Sequence, residues 1–318
     1  MANNAFGTLA TATIVQEALA LVFTMRPELN SFSLGFTDRL GSPIAFYSQS
    51  VITRLLAIPS VQAFGSAASL AADTDVSVPL NNFVQLRYDF QPAEYSGTNR
   101  DLIRERAEPM AVAMANYMVD TIAGNWTPAN YPARTGADAV ANGATVNISK
   151  QGAGWDYTFL VNQGAILDKA GVPQGKRFAV VNADVYASLL NDQRIVAALY
   201  NQANAEAIKT GKLPDVCGFG LAKYPAMPAN GANLVGACGT PDNVAYAQRV
   251  PRDPREVPGF ESVPIPGRIG IVTEPRTGLS VMVVEYVALP SLTITTMLIW
   301  MYGSAVGNPN NLQLLASQ

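Results

Sequence analysis

Glu105 and Glu108 stand three residues apart in "RERAEP". A carboxylate pair on one helical turn could serve as general acid and base. Arg100, Arg104 and Arg106 are interleaved with them, and charge of both signs on one helix face reads as a salt-bridged surface. A second mixed cluster, "RDPRE" at 252–256, could recognise an acidic ligand, lie exposed as a loop, or touch a neighbouring chain. A third candidate is "RFAVVNADVYASLL" (177–190), where the apolar run Phe178–Val181 turns into a helix. Asn182 sits where an N-cap is wanted, and Asp184 falls in the first turn. Tyr186, Leu189 and Leu190 follow at helical spacing. Such junctions can hold a phosphate. This one has neither G-x-G-x-x-G nor G-x-x-x-x-G-K-[ST], so it reads as a cap inside a core. "GFG" (218–220) reads as a strand bend, and the Met110, Met114, Met118 stripe as core packing.

Histidine is absent from the 318 residues. That removes Ser-His-Asp and Cys-His nucleophile systems and nearly every common zinc site. Cys217 and Cys238 are the only cysteines, and both read as reduced, small apolar residues. Apolar residues make up 49% of the chain and charged residues only 14%, against a usual charged share of about 25%. So little polar skin fits a surface largely covered by copies of the same chain, and leaves a compact enzyme open. The net charge of −3 argues against a nucleic-acid grip and a polybasic membrane surface. The N-terminal stretch lacks a positive n-region and carries Glu17 within its apolar run, which makes a poor secretory signal. "LPSLTITTMLIWMYG" is too short to span a bilayer. The sequons at Asn125 and Asn147 mean little without such a signal.

The elements that would position these residues follow from the periodicity. Residues 1–12 read as an extended arm, and Thr13 with Gln16 opens a helix that ends before "RPELN". Residues 31–80 mix Ser, Ala, Gly and short apolar runs, with no periodic core face. Such a long, loosely specified segment is functional or takes its order from a partner. "FVQLRYDF" (83–90) alternates as a strand. A long helix follows, capped by Thr98 or Asn99, with Met110, Ala113, Met114, Tyr117, Met118 and Ile122 as its apolar stripe and Gly124 as its stop. Pro109 predicts a kink or a restart. Residues 125–145 read as a loop or weak insertion. A helix from Trp155 ends at Gly171, and another spans 196–210. "DVCGFGLAKYPAMP" and "ANLVGACG" read as strands. "TPDNVAYAQ" opens a helix with Thr240 as cap and Pro241 at its first position. Residues 250–278 read as a long ordered loop with short strands, followed by two strong strands around Pro290–Leu292. The fold class is α+β with mainly antiparallel strands.

The order of these pieces carries a resemblance. An arm and a long loop lead to a strand and the Pro-containing helix "RERAEPMAVAMANYMVD". Then come "VPQGKRFAVVNADVYASLLND", "DVCGFGLAKYPAMP" and the C-terminal "TTMLIWMYGSAVGNPNNLQLLA". The pattern, over nearly the whole chain, resembles the major capsid proteins of tailed bacteriophages, which share the Hong Kong 97 capsid fold.

The resemblance implies an N-terminal arm (1–33) and an extended loop reaching over a neighbour (34–81). It implies a peripheral domain with a spine helix (82–150 and 251–302) and an axial domain (151–250 and 303–318). It implies a virion protein, assembled in the host bacterial cytoplasm into pentamers and hexamers of an icosahedral head shell. The shell would enclose DNA without reading its sequence, and the protein would have no membrane, cofactor, metal or catalytic residue. A separate scaffolding protein, since the chain starts directly at its arm, and a portal are the further partners implied, and the presence of a decoration protein stays open. The candidate subunit-interface residues are Arg39, Arg54, Arg100, Asp101, Arg104, Glu105, Arg252, Asp253, Arg255 and Glu256. No lysine precedes Lys150, so the extended loop has none. The alternatives are an encapsulin-type bacterial compartment shell and a carboxylate-based α/β enzyme.

Overall fold

The computed structural model describes residues 4–25, 29, 44–45, 49–55, 64, 73–96, 102–131, 140–141, 144–145, 148–151, 154–195, 213, 215–225, 227, 233–256, 267–274 and 278–317. In chain order, helix α1 (Asn4–Met25) precedes the short strand β1 (Ile44–Ala45) and the ribbon of β2 (Ser50–Leu55) and β3 (Thr74–Pro79). Strand β4 (Asn82–Phe90), the short helix α2 (Pro92–Ser96) and the long helix α3 (Leu102–Gly124) follow. Next come β5 (Val140–Ala141), β6 (Ala144–Thr145), β7 (Ile148–Gln151), α4 (Tyr157–Lys169), β8 (Phe178–Val181) and α5 (Ala183–Leu190). Then come β9 (Gly220–Lys223), β10 (Leu234–Gly239), β11 (Val244–Pro251) and β12 (Arg268–Thr273). The last strands are β13 (Ser280–Ala288), β14 (Thr293–Val306) and β15 (Leu312–Ser317).

The first sheet is organised by β14. Antiparallel β13 pairs with its residues 293–299 and antiparallel β11 with 301–306, one after the other. β4 pairs with 294–302 and therefore occupies the opposite edge. β12 pairs with β13, and β1 lies parallel to β11. α1 and α3 pack together over one face, on Leu298, Trp300, Val281 and Val283. On the other face, Val51, Val78 and Leu80 at the root of the ribbon bury against Ala245, Ala247 and Met301.

The second sheet runs β5-β6-β7-β15-β10-β8-β9. Both of its faces are covered, which explains the unbroken apolar run of β8. Ala179 and Val181 face α4 and α5 through Phe159, Leu160, Val185 and Leu189. Phe178 and Val180 join the core that α3 extends through Trp126, whose indole stacks on the Phe178 ring at 6.5 Å.

The two sheets are joined where the chain crosses twice, side by side. β10 passes into β11 through a 3-10 turn at Pro241–Asn243, and β14 into β15 through another at Pro309–Asn311. Asn243 is buried at this junction. Its side-chain oxygen accepts from the Trp126 indole N–H at 3.2 Å. Its backbone carbonyl accepts from the Tyr131 hydroxyl at 2.7 Å and from the Gly307 N–H at 2.7 Å. Asn311 Nδ2 donates to the Asp242 carboxylate at 2.6 Å, and the Asn308 N–H to the Asp242 carbonyl at 2.9 Å.

Several expectations change. Residues 4–12 are helical, not an extended arm, and α1 runs unbroken to Met25. The segment is rich in Ala and Leu, which favour helix, and α1 gains a partner in α3. Thr13 is therefore an interior, exposed position and not a cap. α3 continues through Pro109, which faces solvent, where the carbonyl one turn back can turn to water. The buried ridge of α3 is Ala107, Met110, Ala111, Met114, Ala115, Met118, Val119 and Ile122, and Ala113 is exposed. After Thr240 there is one 3-10 turn and no helix, and the Thr240 side chain caps no backbone N–H. Thr98, Asn99 and the helix expected over 196–210 lie outside the described residues.

Candidate assembly surfaces

The Asn182 junction is built as its sequence indicates. Asn182 has extended backbone, and its Oδ1 accepts from the Val185 N–H at 2.9 Å. Its own N–H donates to the Val235 carbonyl at 2.8 Å, which ties the helix start to β10. The Tyr186 hydroxyl accepts from the Leu213 N–H at 2.8 Å, and the Lys223 ammonium lies 5.8 Å from the Tyr186 ring centre. These contacts are those of a core cap. "GFG" belongs to a tight turn: Val216 and Phe219 exchange both backbone bonds at 3.0 and 2.9 Å. Cys217 and Gly218 between them have φ of 54° and 79°, the backbone of a type I′ turn.

Glu105 and Glu108 are both exposed on α3. Arg104 pairs with Glu17 of α1 at 3.7 Å, and the Arg106 guanidinium lies 5.6 Å from the Tyr88 ring centre. Among the described residues no cluster of three His, Cys, Asp or Glu could hold a metal, and no helix is long and apolar enough to cross a membrane. Both cysteines are free thiols. Burial pushes the Cys238 thiol up to about 12.

The charged candidates fall in three separate places. Arg54 on β2 faces Asp75 on β3 at 2.8 Å across the ribbon. Arg104 and Glu105 lie at the start of α3. Arg252 pairs with Glu256 at 3.7 Å in the turn after β11, beside Asp253. Arg39, Arg100 and Asp101 lie outside the described residues, as does the side chain of Arg255. These three pairs are all solvated, so each contributes at most about 1 kcal/mol.

Apolar surface missed at the charged positions is found elsewhere. Phe83 is 53% exposed at the start of β4. It borders a groove of about 460 Å³ lined also by Val84, Gln85, Leu86, Ala113, Tyr117 and Trp300. Val287, Leu289 and Leu292 are exposed together at the β13–β14 turn. One signal for each was present: an aromatic on the polar side of the alternation in "FVQLRYDF", and leucines on both sides of a turn in "ALPSL".

No protein-family model matches the chain. No curated protein sequence matches it. Solved structures do. A structure from Mycobacterium phage Che8 is 15% identical, with 84% of each chain covered and a TM-score of 0.50. The capsid structure of the cyanophage P-SCSP1u is 11% identical, covers 87% of this chain and 86% of that one, and has a TM-score of 0.52. At these identities the likeness is one of fold, and the chain has the α+β capsid fold expected from its sequence.

Proposed function

We propose that this chain is the structural subunit of the icosahedral head shell of a tailed phage, a coat protein of the virion and not an enzyme. The observation that carries this reading is the match over 87% of the chain to a phage capsid structure. A chain only 14% charged supports it, because a subunit whose surface is mostly covered by its copies needs little polar skin. In this reading the β2–β3 ribbon belongs to the extended loop and the α3-covered sheet to the peripheral domain. The second sheet belongs to the axial domain, with residues 140–151 added to it. Copies meet in pentamers and hexamers through heterologous contacts, which close into rings. The enclosed DNA is held by volume and not by base contacts. A scaffolding protein and a portal act as separate partners, and assembly takes place in the host bacterial cytoplasm.

The test is electron cryo-microscopy of the purified chain under conditions that assemble related coats. Hollow icosahedral particles are expected. A small compact oligomer alone would overturn the proposal. Particles that hold an enzyme cargo and never DNA would replace it with a compartment shell.

A further inference from the structure

Tyr117 and Trp300 meet edge to face in the groove between α3 and β4, with ring centres 6.2 Å apart and planes at 81°. Phe83, 53% exposed, stands at its border. Rings set at an angle present flat apolar walls. The Tyr117 hydroxyl is spent on the Tyr302 hydroxyl at 2.5 Å. Trp300 is only 3% exposed, yet its indole N–H has no acceptor among the described residues. A buried donor without a partner is costly, so an acceptor that reaches it gains more than an ordinary surface contact. The β4 residues on the groove, Phe83–Leu86, carry no charge. The site therefore asks for an apolar, uncharged segment with bare carbonyls. Polyproline II has that chemistry, because it makes no internal hydrogen bonds and leaves its carbonyls to accept. Aromatic-lined grooves are its usual receptors.

The chain carries such a segment. "VPGFESVPIP" (257–266), outside the described residues, joins the turn at Glu256 to Gly267 at the start of β12. Its last residues, Ser262 to Pro266, are uncharged. Val263 and Pro266 stand one polyproline turn apart and share a face. This stretch cannot fill its own chain's groove. β12 is separated from β4 by β13 and β14, a distance of about 14 Å at the usual strand spacing. Pro264 stands three residues from Gly267 and reaches about 10 Å at full stretch. α1, which touches β12, and α3, packed beside α1, also fill the face between. β12 and β4 are opposite edges of one sheet. A segment leaving the β12 edge of one copy therefore meets the β4 edge of a copy set alongside.

We propose that residues 263–266 of a second copy of this chain bind in the groove as a polyproline turn. Val263 and Pro266 pack on Phe83, Tyr117 and Trp300, and one carbonyl of the turn accepts from Trp300 Nε1. The contact rests on the shell reading. It is heterologous: each copy gives a proline segment to one neighbour and a groove to another.

Replacing Phe83 by the photo-reactive p-benzoylphenylalanine tests the contact directly. Particles are assembled from a mixture of isotope-labelled and unlabelled chains, illuminated and digested. Mass spectrometry is expected to find position 83 joined to a peptide within 257–267 of another chain. Trp300→Phe keeps an apolar ring and removes the donor. It is expected to raise the critical concentration for assembly about tenfold, the equivalent of one good hydrogen bond. Pro264→Ala together with Pro266→Ala is expected to raise it similarly. Adding Trp300→Phe to that pair should change little more, because both act on one contact. Cross-links that map to residues 34–81, that stay within one chain or that are missing overturn this contact and leave the shell standing. Fully additive effects of the tryptophan and proline changes do the same. Failure of the unmodified chain to form particles overturns both.

Discussion

The Pro79 carbonyl lies 2.1 Å from where a Cβ on Gly303 would stand. This close approach seats the ribbon root on β14, and only a residue without a side chain permits it. Gly303→Ala is expected to push the root away and to cost about 1–3 kcal/mol. Gly270, on the edge strand β12, has nothing within 4 Å of its Cβ position, so Gly270→Ala serves as the control. Urea unfolding of both variants checks this, and equal losses would contradict the seating role of Gly303.

Asn182→Ala removes the acceptor of the Val185 N–H. A loss of about 1 kcal/mol is expected, the usual worth of an N-cap. Nothing should be lost in binding to phosphate or nucleotides. Calorimetry of the chain with inorganic phosphate, before and after the change, decides whether the junction is only a cap.

Asp192 accepts from the Tyr157 N–H at 2.6 Å and from the Arg194 N–H at 2.8 Å. Those bonds hold its carboxyl below the usual carboxylate range. A depressed folded pKa contributes stability that is complete above the unfolded value, near 4. That stability disappears as pH falls through the lower folded value. Asp192→Asn should therefore be less stable than the parent at pH 7, and the gap should close as pH falls through the depressed folded value. A gap that is constant with pH would show that the carboxylate charge contributes nothing.

Covalent locking of a shell through a loop lysine needs an amine, and the first lysine of this chain is Lys150. Arginine does not substitute, because its guanidinium stays protonated. Assembled particles boiled in detergent with reductant should release single chains of 33.7 kDa. A ladder that survives reductant would contradict this. A ladder seen only without reductant would implicate Cys217, since Cys238 is fully buried with its thiol pushed up to about 12.

Much of the fold was legible in the sequence where one element carries its own signal. The Asn182 cap, the β13–β14 pair and the α4 stop at Gly171, whose φ is 72°, follow from local chemistry and periodicity. What escaped depends on a partner elsewhere in the chain. The N-terminal turns of α1 lack a local start signal and belong to a helix that packs along α3. "TPDN" has the capping residues of a helix, yet Asn243 is claimed by Trp126 and Tyr131, more than a hundred residues earlier. The apolar surface at Phe83 was hidden for a related reason. Alternation assigns a residue to a face, but it does not tell whether that face or edge is covered. Charged residues stood out in a chain so poor in charge, and three of the arginines among them are already paired within their own chain.

β15 follows every other described strand in chain order, and it lies between β7 and β10 in the middle of the second sheet. Until Leu312–Ser317 emerge, β7 has no parallel neighbour and one edge of β10 stays open. Domains generally fold as units during synthesis, so the second sheet closes only after the described strands β1–β14 have been made. A chain that stalls before that point carries a split sheet with two raw edges. Translation itself thereby acts as an inspection step, since the second sheet closes only when β15 slots between β7 and β10.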